Sequence, residues 1–382
     1  MRDLTILGGG NTAFAAAANL SLRGFRVTLC EHPSFAWTLD PIRDSGVIPL
    51  DGVAERGKAK IHRLTTNFSE GLENDLLLTI VPAYAHKPFA EACRPHLREG
   101  HILVLLPGTL GTLEVASILG LDQAGHSQVI LAETDTAPYV CRKVAPDAAH
   151  IWGVVTSLGV GVLPSGESNR VAELLSDIFT IDGLGPAEPG TEASAEPNTA
   201  VSLYSNVLEC GLSSMNPVVH PPGVLMNAGR VEYSKGDFFF YEEGVTPAVC
   251  QVIYALDAER RAIGEALGLD LTPVDQAFHE AGFGPKGDLW STINGSRMLT
   301  QLRAPGAMDT RWLTEDVPYG IAAWGSLADQ LGVSASVMHS LVTLASAALG
   351  EDFLQTSRTV DKLGIAGMNR EELLSYVTSG QK

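Results

Sequence analysis

An apolar run that stops on three glycines constrains the amino-terminal half of this chain more than any other feature. Leu4–Leu7 reads as a short buried strand, and Gly8, Gly9 and Gly10 follow at once. An alanine-rich segment from Asn11 to Arg23 reads as a helix closed by Gly24, and a second apolar run, Val27–Cys30, ends on Glu31. Strand, glycine turn, helix, strand and acid in this order make a βαβ unit with a G-x-G-x-x-A pattern on Gly8, Gly10 and Ala13. Gly8 permits the tight turn, Gly10 lets a pyrophosphate approach bare backbone, and Ala13 lets the helix pack on the sheet. The helix N-terminus then offers N–H groups and partial positive charge to phosphates. Glu31, 21 residues after Gly10, stands where a carboxylate accepts hydrogen bonds from an adenosine ribose. A glycine-rich turn in another α/β fold is the competing reading. The full context of strand, helix and spaced acid favours dinucleotide binding.

The alternation continues. Asp75–Val81, His101–Leu106 and Gln128–Ala132 are continuous apolar runs bounded by polar residues, as buried parallel strands are. Helices are expected over Ala85–His96 and Thr112–Leu119. Gly46–Leu50 and Lys58–Thr66 contain runs that suit extra strands, and Trp152–Leu163 with a helix over Asn169–Phe179 closes the domain. The predicted fold is an α/β N-terminal doubly wound (Rossmann-type) domain plus an all-α C-terminal domain. Asp182–Asn198 is rich in glycine, proline and acids and is the best linker candidate. The expected division is 1–185 for the dinucleotide domain, 186–198 for the linker and 199–382 for a helical substrate and catalytic domain.

Helical periodicity marks the second half: a stripe over Thr199–Met215, and helices over Thr246–Leu267, Pro318–Leu331 and Ser336–Leu349. Thr246 is placed to cap the second of these, with Pro247 at its first position and Gly268 ending it. Asn369 and Glu372 look like a capping pair at a further helix start. The chain has 382 residues and a formal net charge of −18, which argues against nucleic-acid or anionic-membrane partners. No apolar stretch is long enough to span a bilayer. The five cysteines, Cys30, Cys93, Cys141, Cys210 and Cys250, show no metal-ligand spacing. With no signal-peptide pattern ahead of the first strand, a cytoplasmic, reduced protein without a metal is expected.

Three residues of the second half could carry chemistry. His220 reads as the end of a helix and precedes Pro221 and Pro222. It reads equally well as a capping histidine and as a general acid–base. Asp316 lies ahead of a helix opened by Pro318, where an acid is commonly a cap. Its other reading is a carboxylate that orients His220 and favours its charged form. Arg311 could clamp a substrate carboxylate or be a solvated surface cation.

Together the blocks GGGNTA, LLPGTLG (Leu105–Gly111), ETDTAPYVCR (Glu133–Arg142), NPVVHPPGVLMNAGR (Asn216–Arg230), FYEEGVTPAVCQVIYALDAER (Phe240–Arg260), RWLTEDVPYG (Arg311–Gly320) and SRTVDKLGI (Ser357–Ile365) resemble the octopine/nopaline dehydrogenase family over nearly the whole chain. The resemblance implies an opine dehydrogenase. Such an enzyme condenses an amino acid with a 2-oxo acid, often pyruvate. It then reduces the imine with NAD(P)H to an N-(1-carboxyalkyl)amino acid. It places the catalytic histidine at His220, its partner acid at Asp316 and a substrate-binding arginine at Arg311. Thr136 would face the oxo acid. Gly8, Gly10, Asn11, Thr12 and Glu31 would contact the cofactor, with Val81, Pro82 and Ala83 lining the cleft. Trp290 and Arg297 are candidates for the amino-acid pocket, against plainer readings as a buried aromatic and a surface cation. NAD is the expected cofactor, with NADP admitted, because Glu31 would repel a 2′-phosphate. The partners expected are the two small substrates, and a homodimer is allowed. The alternative is a single-substrate reductase of similar layout, such as a ketopantoate reductase. It would need a catalytic lysine, and Lys235, Lys286, Lys362 and Lys382 are the few available. A catalytically silent nucleotide sensor is a third reading, disfavoured by His220, Asp316 and Arg311.

Overall fold

The structure, a computed structural model, describes residues 3–121, 129–179 and 200–382. The chain forms two compact units, residues 1–210 with 375–382, and residues 211–374.

The first unit is built on an eight-stranded sheet. Its strands are β1 (Asp3–Leu7), β2 (Arg26–Cys30), β5 (Arg63–Thr65), β6 (Leu76–Thr79), β7 (Ile102–Leu105), β8 (Ile130–Thr134), β11 (Ser157–Leu163) and β12 (Ala200–Leu203). They lie in the order β12-β11-β8-β7-β6-β1-β2-β5. From β5 through β8 every pair is parallel, whereas β11 runs antiparallel to β8 and β12 parallel to β11. The chain leaves β1 towards β2 and β5, then returns to the other side of β1 for β6. The topological switch point therefore lies between β1 and β6, where open α/β sheets bind ligands beyond their strand C-termini.

A second sheet was not anticipated. It runs β4-β3-β10-β9, with β3 over Val47–Gly52, β4 over Gly57–Lys60, β9 over Tyr139–Ala145 and β10 over Ala148–Val154. Two of its strands fall in segments that suited extra strands, but β9 and β10 arise from the stretch after β8. Arg142 and Lys143 interrupt the apolar residues of β9, so a hydrophobicity reading passes over it. This sheet explains why the helix Asn11–Leu22 is rich in alanine. Ala13 and Ala15–Ala18 are fully buried, as are Phe14 and Leu20. The helix packs on β1 and β2 on one side and on β3, β4, β9 and β10 on the other. A helix covered on both sides is apolar all round, and small side chains let both sheets approach it.

Two other expectations change. The stripe over Thr199–Met215 is not one helix: Ala200–Leu203 pairs with β11, and only Val207–Leu212 is helical. Ladder bonds to an existing sheet edge override the short helical period. The expected boundary at residue 199 therefore moves, because β12 belongs with the first unit. The linker candidate, Asp182–Asn198, and Gln128 lie outside the described residues.

The second unit is helical. Its spine is Pro247–Leu267, with Val249 N–H donating to the Thr246 hydroxyl and Gly268 in the left-handed region at φ 77°. Ala322–Leu331 and Ser336–Leu349 pack on it. The helix at Arg370 opens with the anticipated reciprocal box: Asn369 N–H donates to Glu372 (2.8 Å) and Glu372 N–H to Asn369 (3.1 Å). Inside the spine, Arg260 is fully buried. Its guanidinium donates to Asp257 Oδ1 (2.6 Å), to the Leu212 carbonyl (2.9 Å) and to the Thr272 carbonyl (2.6 Å). One cation thus ties the spine to the segments on either side of it.

Arg260→Met should lower the unfolding free energy by about 3 to 5 kcal/mol, because it strands a buried carboxylate beside a gap in the donor set. Denaturant unfolding followed by far-UV circular dichroism measures this. A loss under about 1 kcal/mol would mean that Asp257 is satisfied without Arg260.

Candidate active site

Each unit contributes one chemical centre. In the first, the chain leaves β1 through Gly8, whose φ of +118° is left-handed. A Cβ at Gly8 would lie 2.7 Å from both the Ile80 carbonyl oxygen and the Val81 side chain, so the ends of β1 and β6 close on each other here. Gly10 is different: nothing lies within 4 Å of where its Cβ would stand. Gly10 also caps the helix Asn11–Leu22 without any side-chain bond to the first N–H groups. Bare backbone, open space and an uncapped N-terminus on a twelve-residue helix fit a dinucleotide diphosphate. Val81, Pro82 and Ala83 follow β6 beside this turn, and Ala13 is buried against the sheet.

Glu31 ends β2 as expected but is only 4% exposed. It accepts from His32 N–H (2.8 Å) and from the Thr38 hydroxyl (2.9 Å). Burial raises its carboxyl above the usual range, against those two hydrogen bonds and the nearby charge of Lys143. Asn11 and Thr12 are tied to β9: Asn11 Oδ1 accepts Lys143 N–H (2.9 Å), and the Thr12 hydroxyl lies 3.7 Å from Cys141 Sγ. Lys143 escaped the sequence reading, since nothing local marks it. Its ammonium donates to the Gly9 carbonyl (2.8 Å) and sits 3.3 Å from the centre of the Phe14 ring. Burial brings it down to about 8, with Glu31 acting the other way. Its ammonium thus brings a cation to the glycine turn.

The second glycine-bearing turn, Pro107–Gly111, is occupied by the protein itself. Glu133 of β8 is fully buried and accepts the N–H groups of Leu110 and Thr112, each at 2.8 Å. Thr109 and Leu110 hold left-handed φ values of 52° and 66° to present those groups. Thr136 follows β8, half-buried, with its carbonyl accepting from the Thr134 hydroxyl (2.7 Å). Beside it, burial pushes the Asp135 carboxyl up to about 6, against hydrogen bonds from Tyr204 and Gly159.

The centre of the second unit is His220. It does not end a helix: Asn216–Leu225 continues through Pro221 and Pro222. The prolines remove two backbone donors, and a proline-rich segment rarely stays helical by propensity. Here tertiary burial of Val218, Val219, Pro221, Pro222, Gly223 and Val224 holds it. A helix-end field therefore does not act on His220. Its charge environment comes instead from Asp316, whose Oδ2 lies 2.8 Å from His220 Nδ1. Asp316 makes no side-chain capping bond, so the capping reading of this acid fails. The two side chains are 13% and 14% exposed, enough for access and too little for strong solvent screening. Nδ1–H donates to the carboxylate, which leaves Nε2 as the nitrogen without a carboxylate partner.

Two aromatic residues complete the group, and the sequence reading missed both. Trp312 stacks on the imidazole with ring centres 4.4 Å apart and planes 9° from parallel. Tyr241 places its hydroxyl 3.1 Å from Nε2. Both lie inside quoted motif blocks, but neither spacing nor periodicity points to them. Arg311 precedes Trp312 and is 61% exposed, its Nε (2.6 Å) and Nη2 (2.5 Å) donating to Glu315. Trp290 is half-exposed on Leu289–Asn294 and Arg297 is exposed; among the described residues neither joins the group around His220. Lys235 and Lys286 are exposed and Lys362 donates to the Thr356 carbonyl, so these lysines of the helical unit stand apart from it. Among the described residues no cluster could hold a metal ion, and no helix is long and apolar enough to cross a membrane.

Comparison with known proteins gives a consistent picture. Residues 203–349 match the family described as NAD/NADP octopine/nopaline dehydrogenase, alpha-helical domain. An opine dehydrogenase of Arthrobacter sp. (strain 1C) is 28% identical over 383 residues, spanning 98% of this chain and 99% of the relative. An octopine dehydrogenase solved with NADH and agmatine superposes with a TM-score of 0.77 at 19% identity, over 100% of this chain and 99% of that one. A yersinopine dehydrogenase solved with NADP+ superposes with a TM-score of 0.71 at 16% identity, over 98% of this chain and 97% of that one.

Lys143→Met should weaken dinucleotide binding about three- to tenfold at pH 7, the size of one partly screened charge contact. Because the ammonium is lost as pH rises through about 8, wild-type affinity should fall across that range while the variant's stays flat. NADH fluorescence titration between pH 6.5 and 9.5 is the measurement. Parallel curves would remove Lys143 from the site.

Proposed function

We propose that this chain, which belongs to the octopine/nopaline dehydrogenase family, is an NAD(P)H-dependent opine dehydrogenase. It joins the amino group of an amino acid to a 2-oxo acid, with pyruvate the first candidate. It then reduces the imine to an N-(1-carboxyalkyl)amino acid, and it catalyses the reverse oxidation. The observation that carries this reading is the His220–Asp316 pair at 2.8 Å in the helical unit.

The residues divide the work. Asp316 fixes the tautomer of His220 and stabilises its charged form. The amine attacks the oxo carbon, and the carbinolamine that results must lose its hydroxyl as water. The proton held at His220 Nε2 goes to that departing hydroxyl. A dinucleotide whose diphosphate is held by the turn Gly8–Gly10 would supply, from its reduced nicotinamide, the hydride that saturates the imine carbon. In the reverse direction neutral His220 takes the proton back. Trp312 keeps the imidazole in one plane, so the proton is delivered along one direction. Arg311, whose planar fork suits a carboxylate, anchors an acid group of a substrate. Thr136 contacts the oxo acid and Trp290 the amino acid. Glu31 gives a preference for NADH, since a 2′-phosphate would meet its charge, and Lys143 tempers that preference. The five free cysteines suit a reducing compartment, and the cytoplasm is the expected location.

The test is loss of NADH absorbance with a matrix of 2-oxo acids and amino acids, repeated with NADPH. Turnover that needs both substrates supports the reading, and equal turnover with the oxo acid alone would replace it with a single-substrate reductase. His220→Ala should lower kcat by about 100-fold or more while NADH affinity holds. Asp316→Asn should lower kcat and move the alkaline limb of the reductive pH–rate profile to lower pH. An unchanged limb with near-normal kcat would remove Asp316 from the chemistry.

Arg311→Lys keeps the charge but loses the fork. It should raise the KM of one substrate by about tenfold, the loss of one bidentate contact, and leave NADH affinity alone. Steady-state kinetics with each substrate varied in turn measures this, and two unchanged KM values would leave Arg311 as the ion-pair partner of Glu315 only.

A further inference from the structure

Both ring nitrogens of His220 are engaged. Nδ1 meets Asp316, and Nε2, the nitrogen that must exchange a proton, meets the Tyr241 hydroxyl at 3.1 Å. Tyr241 comes from the turn Phe240–Gly244, is 5% exposed, and packs edge-on against Phe240 with ring centres 5.0 Å apart. His220 is the one hydrogen-bond partner of its hydroxyl among the described residues. Burial and the charge of Asp316 push the phenol up from its ordinary value, so Tyr241 keeps its proton through the working range.

These facts give the contact a direction. A buried O–H without an acceptor is costly, and Nε2 accepts from it only when the imidazole is neutral. When Nε2 carries its own proton, it can only donate to the phenol oxygen, and the phenol proton is left without a partner. Tyr241 therefore favours neutral His220, while Asp316 favours the charged form. We propose that Tyr241 is a positioning residue that holds Nε2 and opposes Asp316, so that His220 both gives and takes its proton during imine reduction and its reversal.

Of the other charged groups on elements packed against this helix, Glu232, Glu242 and Glu265 are exposed to solvent, and the following are engaged elsewhere. Arg311 pairs with Glu315, Glu243 with Arg230, Asp257 with Arg260, and His339 with Asp329, while Glu259 accepts from the first N–H groups of Ser336–Leu349. The opposition thus rests on Tyr241 and Asp316. The inference rests on the opine dehydrogenase reading for its purpose, but its first measurement needs no turnover.

That measurement is the NMR titration of the His220 imidazole in the full chain without substrates, assigned by the signal that His220→Gln removes. In Tyr241→Phe the midpoint should rise by about half a unit to one unit, the worth of one hydrogen bond to the neutral form. In Asp316→Asn it should fall. A midpoint in Tyr241→Phe that is unchanged or lower overturns the proposal. In turnover, both the alkaline limb of reduction and the acid limb of oxidation should move to higher pH in Tyr241→Phe. A drop in kcat with both limbs fixed would make Tyr241 a packing residue and overturn it too. If wild type reduces no imine, the functional reading fails while the titration still decides the role of Tyr241. If Tyr241→Phe does not fold, a difluorotyrosine placed at 241 has the more acidic phenol and is the stronger donor. It should lower the midpoint, and a midpoint that stays or rises refutes the inference.

Discussion

The contact between His220 and Asp316 is the interaction on which the candidate site of the second unit depends. A short hydrogen bond between an imidazole and a carboxylate is worth most where solvent is thin, and each of these side chains is about one-seventh exposed. Nearby features serve its geometry. The helix Asn216–Leu225 carries His220 although three of its ten residues are proline. The turn Val317–Ile321 begins at Asp316 without using it as a cap. Trp312 lies flat on the imidazole, with Phe240 4.6 Å from Trp312 between ring centres. A ring held from its face and at both nitrogens has little freedom to turn, which is what directed proton transfer requires.

The two glycine-bearing turns of the first unit show how similar local chemistry serves opposite ends. At Gly8–Gly10 the backbone is bare, the helix N-terminus lacks a side-chain cap, and Lys143 brings a cation. At Pro107–Gly111 the corresponding N–H groups belong to Glu133, a buried carboxylate from the next strand. The first turn keeps its donors for a ligand, whereas the second uses its donors to satisfy an internal charge. The strained φ values at Thr109 and Leu110 accompany that internal bond rather than a ligand site.

Three ionisable groups held away from solvent each have several partners. Arg260 reaches one carboxylate and two carbonyls, Glu133 two amides, and Asp135 a phenol and an amide. Such groups fix unique contacts between segments that apolar packing alone would leave interchangeable. Several of them lie in the motif blocks quoted above, which are therefore as much about holding elements in register as about chemistry.

The strands and helices with strong periodic patterns were legible in the sequence, because burial leaves a direct trace in hydrophobicity. β1, β2, β6 and β7 are continuous apolar runs, and Pro247–Leu267 carries its cap, first-position proline and closing glycine in plain order. The turn at Gly8–Gly10 was legible for a different reason, since only glycine meets its steric demands. His220, Asp316 and Arg311 were nameable through resemblance, not through local pattern. The tertiary structure decided what local signals could not. β12 is a strand because β11 offers an open edge, and β9 exists because the alanine-rich helix has a second face to cover. His220 stays inside a helix because packing around Pro221 and Pro222 outweighs their lost hydrogen bonds. Tyr241 and Trp312 meet His220 from positions 21 and 92 residues away in the chain. Contacts of that separation leave no periodic mark in a sequence, because they are set by how elements pack rather than by the order of residues within any one of them.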